Sequence, residues 1–380
     1  MKEDIAIQAI YRKDYTPYPW KVGHLDLVFD IGIENTIVYA EIEFRLKEGD
    51  GGSTDIVLNG SDLQLVSMTL NGRSLNNDDY AIEGETLTIP DAPSHSVLKT
   101  EVKIHPGSNS ALEGLYLSGD FLLTQCEAQG FRKITWFPDR PDVMTTYRVT
   151  LQANKANFPV MLSNGNRVDS GDLPGDRHWI CWEDPFPKPS YLFALVAGEL
   201  SLVEDRFKTR SGRDVSLRIY VEKENLDRCE HAMESLINAM RWDEVRFDLE
   251  YDLDIYHIVA TNDFNMGAME NKSLNIFNSK YVLARPDTAT DADYQGIEGV
   301  IGHEYFHNWT GNRVTCQDWF QLTLKEGLTV FRDEEFSADM QSRAVKRIRV
   351  VRDLRSRQFP EDDGPMATAC PLKIPRPGTR

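Results

Sequence analysis

Two histidines four residues apart, His303 and His307, are the side chains in this sequence best spaced for metal chemistry. On a helix such positions lie one above the other, so both imidazoles can reach one ion. Glu304, between them, reaches the same region and is suited to take a proton from a water beside that ion. With eight histidines in 380 residues, composition alone gives this pattern about once per hundred such chains. A catalytic zinc takes three protein ligands and leaves a fourth position for water, so a third ligand is expected on a following helix. Glu326 lies 19 positions after His307, inside Leu322-Thr-Leu-Lys-Glu-Gly-Leu-Thr. Its neighbours Leu324, Leu328 and Phe331 are expected to pack around it. Two histidines and one glutamate form a known catalytic zinc set for one ion. The bland alternative is ordinary histidines and a glutamate on helix surfaces. Asp333, seven positions after Glu326 on the same helix face, is one candidate to orient a histidine ring, against plain surface exposure. Lys325 reads as solvated rather than catalytic.

The elements that must carry these residues follow from periodicity. Residues 287–310 read as a helix with Thr290 or Asp291 as N-cap and Gly311 as its stop. Residues 224–249 have helical spacing, and residues 322–357 read as two further helices. Up to about residue 200 the pattern has period two instead. His24-Leu-Asp-Leu-Val-Phe-Asp, Asn35-Thr-Ile-Val-Tyr-Ala-Glu-Ile-Glu-Phe and Val97-Leu-Lys-Thr-Glu-Val-Lys-Ile each predict a strand with one buried face. Gly49-Asp-Gly-Gly-Ser, Asn71-Gly and Pro106-Gly supply turns, and Glu183-Asp-Pro-Phe-Pro-Lys-Pro-Ser reads as a loop. His257 falls in a strand. The expected fold class is α+β. An N-terminal antiparallel β-sandwich or saddle over residues 1–203 precedes a mainly helical domain over residues 204–380.

Composition narrows the partners. The chain has 42 Lys plus Arg against 60 Asp plus Glu, a net charge of −18. That balance repels nucleic acid and anionic membrane surfaces, but not a metal ion or a free amino terminus. Cys126, Cys181, Cys229, Cys316 and Cys370 are scattered and read as reduced thiols. The first 20 residues lack the apolar core of a signal peptide, and no stretch approaches the ~18 apolar residues of a membrane span. A cytoplasmic setting is expected, and nothing in the sequence specifies an oligomeric state.

The histidine pair with Glu304 and the late Glu326 resembles the gluzincin metallopeptidases. Gly267-Ala268-Met269-Glu270-Asn271 resembles the signature of the aminopeptidase N family within them. Asn312-Arg-Val-Thr-Cys-Gln-Asp-Trp-Phe, Lys325-Glu-Gly-Leu-Thr-Val-Phe-Arg-Asp and Thr124-Gln-Cys-Glu-Ala-Gln-Gly-Phe-Arg are similar to the bacterial enzymes of that family. The likeness implies a thermolysin-like second domain, with zinc on His303, His307 and Glu326 and Glu304 as general base. It implies that Glu270 and Glu127, with Gln125 alongside, bind the α-amino group of a peptide. Met266 would line the pocket for the first side chain. The Gly267, Ala268, Met269 and Asn271 segment would offer its backbone to the peptide. The resemblance also implies a longer protein. By it, this chain stops inside the catalytic domain, and Tyr305 is the last tyrosine where the family uses a later one on the oxyanion. Zinc-dependent release of amino-terminal residues from peptides is therefore expected, with reduced or lost activity. The alternative is a zinc-binding fragment or binding module without turnover. Residues 341–380 carry ten Lys plus Arg against four Asp plus Glu, either a solvated face or one that a further domain or subunit covers.

Overall fold

The structure, a computed structural model, describes residues 11–48 and 54–363. The turn expected at Gly49-Asp-Gly-Gly-Ser, the thiol of Cys370 and the stretch from Ala367 onward lie outside the described residues.

Alternation builds the β-rich half. Trp20–Asp30 and Thr36–Leu46 pair antiparallel and send Leu25, Leu27 and Phe29, with Val38, Ile42 and Phe44, into one core. The main sheet has eight strands in the order Asn166–Leu173, Arg177–Lys188, Thr145–Asn154, Trp20–Asp30, Thr36–Leu46, His95–Ile104, Gln64–Leu70 and Arg73–Ser74. All its pairs are antiparallel except Trp20–Asp30 with Thr145–Asn154, which run parallel. Asn71 and Gly72, at φ +50° and +79°, close the two-residue hairpin between Leu70 and Arg73. A four-stranded sheet orders Val160–Ser163, Leu195–Gly198, Phe121–Gln125 and Gly114–Ser118.

One expectation is corrected here. The proline-rich segment from Glu183 is not a loop. The strand Arg177–Lys188 runs through it and pairs Asp184 with Tyr147 and Lys188 with Thr145 across a register shift. A bulge is where a strand tolerates Pro185 and Pro187, since prolines have no N–H to give the ladder.

The second half is built on a five-stranded sheet ordered Ser201–Lys208, Asp214–Val221, Ile255–Thr261, Leu274–Asn278 and Ala268–Met269. Both faces of its strands Ile255–Thr261 and Leu274–Asn278 are buried. Val259, Leu274 and Ile276 join the core of the β-rich half, while Ile219, Ile258 and Phe277 pack with the helices. His257 is a fully buried strand residue between the rings of Trp182 and Tyr220. The described residues contain five α-helices: α1 (Glu230–Phe247), which lies between the strands Asp214–Val221 and Ile255–Thr261, then α2 (Asp291–Phe306), α3 (Leu322–Met340), α4 (Arg343–Asp353) and the short α5 (Phe359–Asp362). Among the described residues no helix is long and apolar enough to cross a membrane. Cys126, Cys181, Cys229 and Cys316 are buried free thiols. The chain is thus an α+β protein, a β-rich domain followed by a mainly helical one.

Over its first three turns the inner face of α3 is polar, before Phe336 joins the helical core. Lys325, Thr329 and Arg332 are buried, whereas Leu324, Leu328 and Phe331 are 61%, 51% and 55% exposed. The expectation that these three pack around Glu326 is therefore reversed. α3 turns hydrogen-bonding groups inward because its neighbours are charged or are open helix ends. Arg332 pairs with Asp243 of α1 and donates to the Phe306 carbonyl at the end of α2, 2.8 Å away. That contact joins all three helices and adds a charged donor to a carbonyl that also accepts, at 3.3 Å each, from the Trp309 and Thr310 N–H groups. Asp243→Ala would leave the Arg332 charge buried and unpaired, and is expected to destabilise the fold by about 3–5 kcal/mol in chemical denaturation. An effect below about 0.5 kcal/mol would show the pair to be dispensable.

Candidate active site

α2 begins where its capping box places it. The Thr290 hydroxyl accepts from the Asp293 backbone N–H, and the Asp293 carboxylate accepts from that of Thr290 at 2.8 Å. Its last turn carries His303 and Glu304, and His307 forms the C-cap. The helix ends before Gly311, which has another task. At φ +145° it passes so close to α3 that a Cβ there would sit 2.7 Å from His307 Nδ1 and 3.1 Å from Lys325 Cγ.

Each imidazole is held by its Nδ1. His303 Nδ1 lies 2.6 Å from Asp333 Oδ2, and His307 Nδ1 lies 2.8 Å from the Thr310 carbonyl. These acceptors suit a proton on Nδ1 of both rings and turn both Nε2 atoms toward the site; burial disfavours an imidazolium at His303, but the Asp333 and Glu326 carboxylates outweigh it and raise the proton affinity of that ring. The two Nε2 atoms then face each other at 3.0 Å, and each lies 3.5 Å from Glu326 Oε2. Three potential metal-ligand atoms converge here. Donors ~2.0–2.1 Å from a tetrahedral zinc stand ~3.3–3.4 Å apart, so this triangle fits one such ion. Asp333 lies where seven-residue spacing on α3 put it.

Glu304, on the turn between the histidines, is buried. One of its carboxylate oxygens, a ring nitrogen of His307 and a carboxylate oxygen of Glu270 all lie within 4.8 Å of one another. Burial pushes the Glu304 carboxyl up to about 8, and the neighbouring carboxylates of Glu270 and Glu326 add to it while His303 opposes.

Beside the triangle is a second cluster. Lys325 does not project into solvent as its charge suggested; its side chain is 0% exposed. Its Nζ donates to Glu127 Oε1 at 2.9 Å and to Glu270 Oε1, and it lies 2.9 Å from Glu326 Oε1. Three carboxylates compensate the cost of burying the ammonium, which is why this lysine is inside. The Tyr191 ring lies below, its centroid 5.3 Å from Nζ, while its hydroxyl donates to the Gly311 carbonyl at 3.2 Å. The Gln125 amide N–H donates to the Glu127 carbonyl at 3.1 Å, and its Oε1 is a buried acceptor without a partner among the described residues. Thus β-domain residues Gln125, Glu127 and Tyr191 meet Glu270, Lys325 and Glu326 of the helical half.

Glu270 follows the two-residue strand Ala268–Met269, which pairs with Leu274–Asn278 at the sheet edge. The Gly267 carbonyl accepts from Asn278 N–H at 2.9 Å, and Asn312 Nδ2 donates to the Glu270 carbonyl at 2.8 Å. Met266 is 38% exposed, whereas Met269 and Asn271 are fully buried. Tyr305 packs in the core against Tyr251 and Tyr256. Lys325, Tyr191, Asn312 and Gly311 escaped the sequence reading. A small residue soon after the second histidine was the one available signal, and it read equally as a helix stop.

A family model described as the peptidase family M1 domain matches residues 231–370, and the peptidase M1 N-terminal domain matches residues 21–192. The chain belongs to peptidase family M1. Aminopeptidase N of Escherichia coli K12 is 57% identical over 360 residues, covering 95% of this M1 chain and 41% of that protein. Aminopeptidase N of Caulobacter vibrioides is 56% identical over the same shares. Legionella pneumophila aminopeptidase A, solved in complex with aspartic acid, superposes with a TM-score of 0.83 at 36% identity, over 86% of this chain and 39% of that one. The chain thus spans about two fifths of the length of these relatives.

Two expected outcomes follow for the metal. The chain should bind one zinc, and Asp333→Asn should weaken it by roughly 10–100-fold in a chelator competition, because only the hydrogen bond orienting His303 is altered. Unchanged affinity would mean that Asp333 does not orient the ring.

Proposed function

We propose that this chain carries the site of a zinc-dependent aminopeptidase that removes the first residue from peptides with a free amino terminus. The observation that carries the reading is the adjacency of two clusters. The His303, His307 and Glu326 donors share Glu326 with the carboxylates that already hold an ammonium. A site that binds –NH3⁺ beside a metal-donor triangle suits hydrolysis one residue from a chain end. The domains read as 1–203 and 204–380, each contributing one side of the site.

A bound zinc ion would supply Lewis acidity to the scissile carbonyl and to the attacking water. Glu304 takes the proton from that water, then gives it to the leaving amine. Its raised proton affinity suits both steps. Glu270 and Glu127, with the free acceptor Oε1 of Gln125, hold the α-ammonium and fix which bond reaches Glu304. An internal bond brings no ammonium to these carboxylates and so gains none of the charge-assisted hydrogen bonds that a free amino terminus makes there. The outer edge of Ala268–Met269 is free among the described residues to pair with the peptide backbone, with Met266 beside the first side chain. Buried free thiols suit a reducing, cytoplasmic setting.

Amino-acid release from an unblocked leucyl peptide and from its N-acetyl counterpart tests the reading. The acetylated peptide should be cleaved at least ~100-fold more slowly, having no ammonium. Equal rates would refute the anchor. Glu304→Gln should keep one zinc and lose at least ~100-fold in kcat; loss of zinc in that variant would make Glu304 structural. Bound zinc with no release from either peptide would favour the binding-module reading.

A further inference from the structure

The carboxylate cage is not vacant. Lys325 Nζ makes three contacts, to Glu127, Glu270 and Glu326, which come from the β domain, from the loop after the edge strand and from α3 itself. These are also the groups, Glu326 excepted, that the reading above gives to the α-ammonium of a substrate. Two ammonium ions cannot both take the same oxygens at full strength, since an ionised carboxylate oxygen at hydrogen-bond distance is shared only by weakening each bond. The stem of Lys325 is equally confined. Its Cγ lies where a Cβ at position 311 would meet it at 3.1 Å, a space left open by Gly311, and the Tyr191 ring lies beneath its head.

We propose that Lys325 is the resident ammonium of this site: its Nζ fills the cage when no substrate is bound, and the amino terminus of a peptide binds by displacing it. The inference rests on the aminopeptidase reading and adds a competitor within the chain. Displacement is an exchange of one primary ammonium for another of the same hydrogen-bonding capacity. The carboxylates are never left uncompensated, and their mutual repulsion never opens the cage. The same exchange lowers affinity for every amine by the fraction of molecules in which the cage is free. It also selects for ligands that recover energy elsewhere, through the metal donors, the backbone edge at Ala268 or the pocket beside Met266. A bare alkylamine recovers none of this. Lys325 is thus a specificity residue that sets a threshold for binding, and it holds Glu127 of one domain in line with Glu270 of the other.

Calorimetric titration of the zinc-loaded chain with L-leucinamide, for wild type and Lys325→Met, tests this. Methionine keeps the length and apolar stem but has no charge to displace. The variant should bind L-leucinamide about tenfold tighter or better, as expected when a competing occupant of a site is removed. N-acetyl-L-leucinamide should gain nothing. Equal or weaker binding of L-leucinamide by a folded variant would overturn the proposal, since a purely structural lysine would leave a disordered cage behind. If the variant does not fold, wild type decides. Amidination of Lys325 by methyl acetimidate, normalised to the exposed Lys99, should rise with L-leucinamide, and unchanged reactivity would overturn the exchange. Binding by wild type without the gain sinks this inference alone. No binding by either protein, with one zinc retained, sinks the amine-site reading along with it.

Discussion

The site depends on charge compensation in a small buried volume. Glu127, Glu270, Glu304 and Glu326 crowd together beside two imidazole lone pairs, and Lys325 contributes one positive charge among them. Burial raises the proton affinity of Glu304 to about 8, and the neighbouring carboxylates of Glu270 and Glu326 add to it. Positive charge brought to the lone pairs and to the cage relieves the crowding. In the proposed function, metal affinity and amine affinity are therefore two aspects of one electrostatic problem, with Glu326 facing both.

The scaffold exists to make that crowding tolerable. Asp333 and the Thr310 carbonyl fix the two rings, so the lone pairs cannot rotate apart. Arg332 ties the open end of α2 to α1 and α3 and thereby sets the distance between the histidines and Glu326. Gly311 permits the close approach of that turn to α3. From the other side the β domain brings Glu127 to Lys325, 198 residues away in sequence. Neither domain holds the cage alone, which ties amine recognition to domain packing.

The pairing of His303 with His307 was legible because its constraint is local. Helical spacing fixes His303 against His307, and seven-residue spacing on α3 placed Asp333. The strands at 20–30, 36–46 and 95–104 were legible for the same reason, with period two in place of helical spacing. Lys325 was not legible. A charged residue is solvated by default, and only carboxylates from distant segments make its burial affordable. Leu324, Leu328 and Phe331 misled for the converse reason: on most helices apolar residues mark the inner face, but the inner face of α3 serves an ionic site. Pro185 and Pro187 suggested a loop because the bulge that admits them is set by the partner strand. Local rules carried the sites and elements, and the errors arose where charge met charge across the fold.

Zinc-edge X-ray absorption of the loaded protein measures the central claim, that the paired lone pairs of His303 and His307 join Glu326 on one ion. The spectrum is expected to show a single shell of nitrogen and oxygen at ~2.0–2.1 Å, with the outer scattering of two imidazoles and no sulfur. A sulfur shell near ~2.3 Å, or the loss of imidazole scattering, would contradict it.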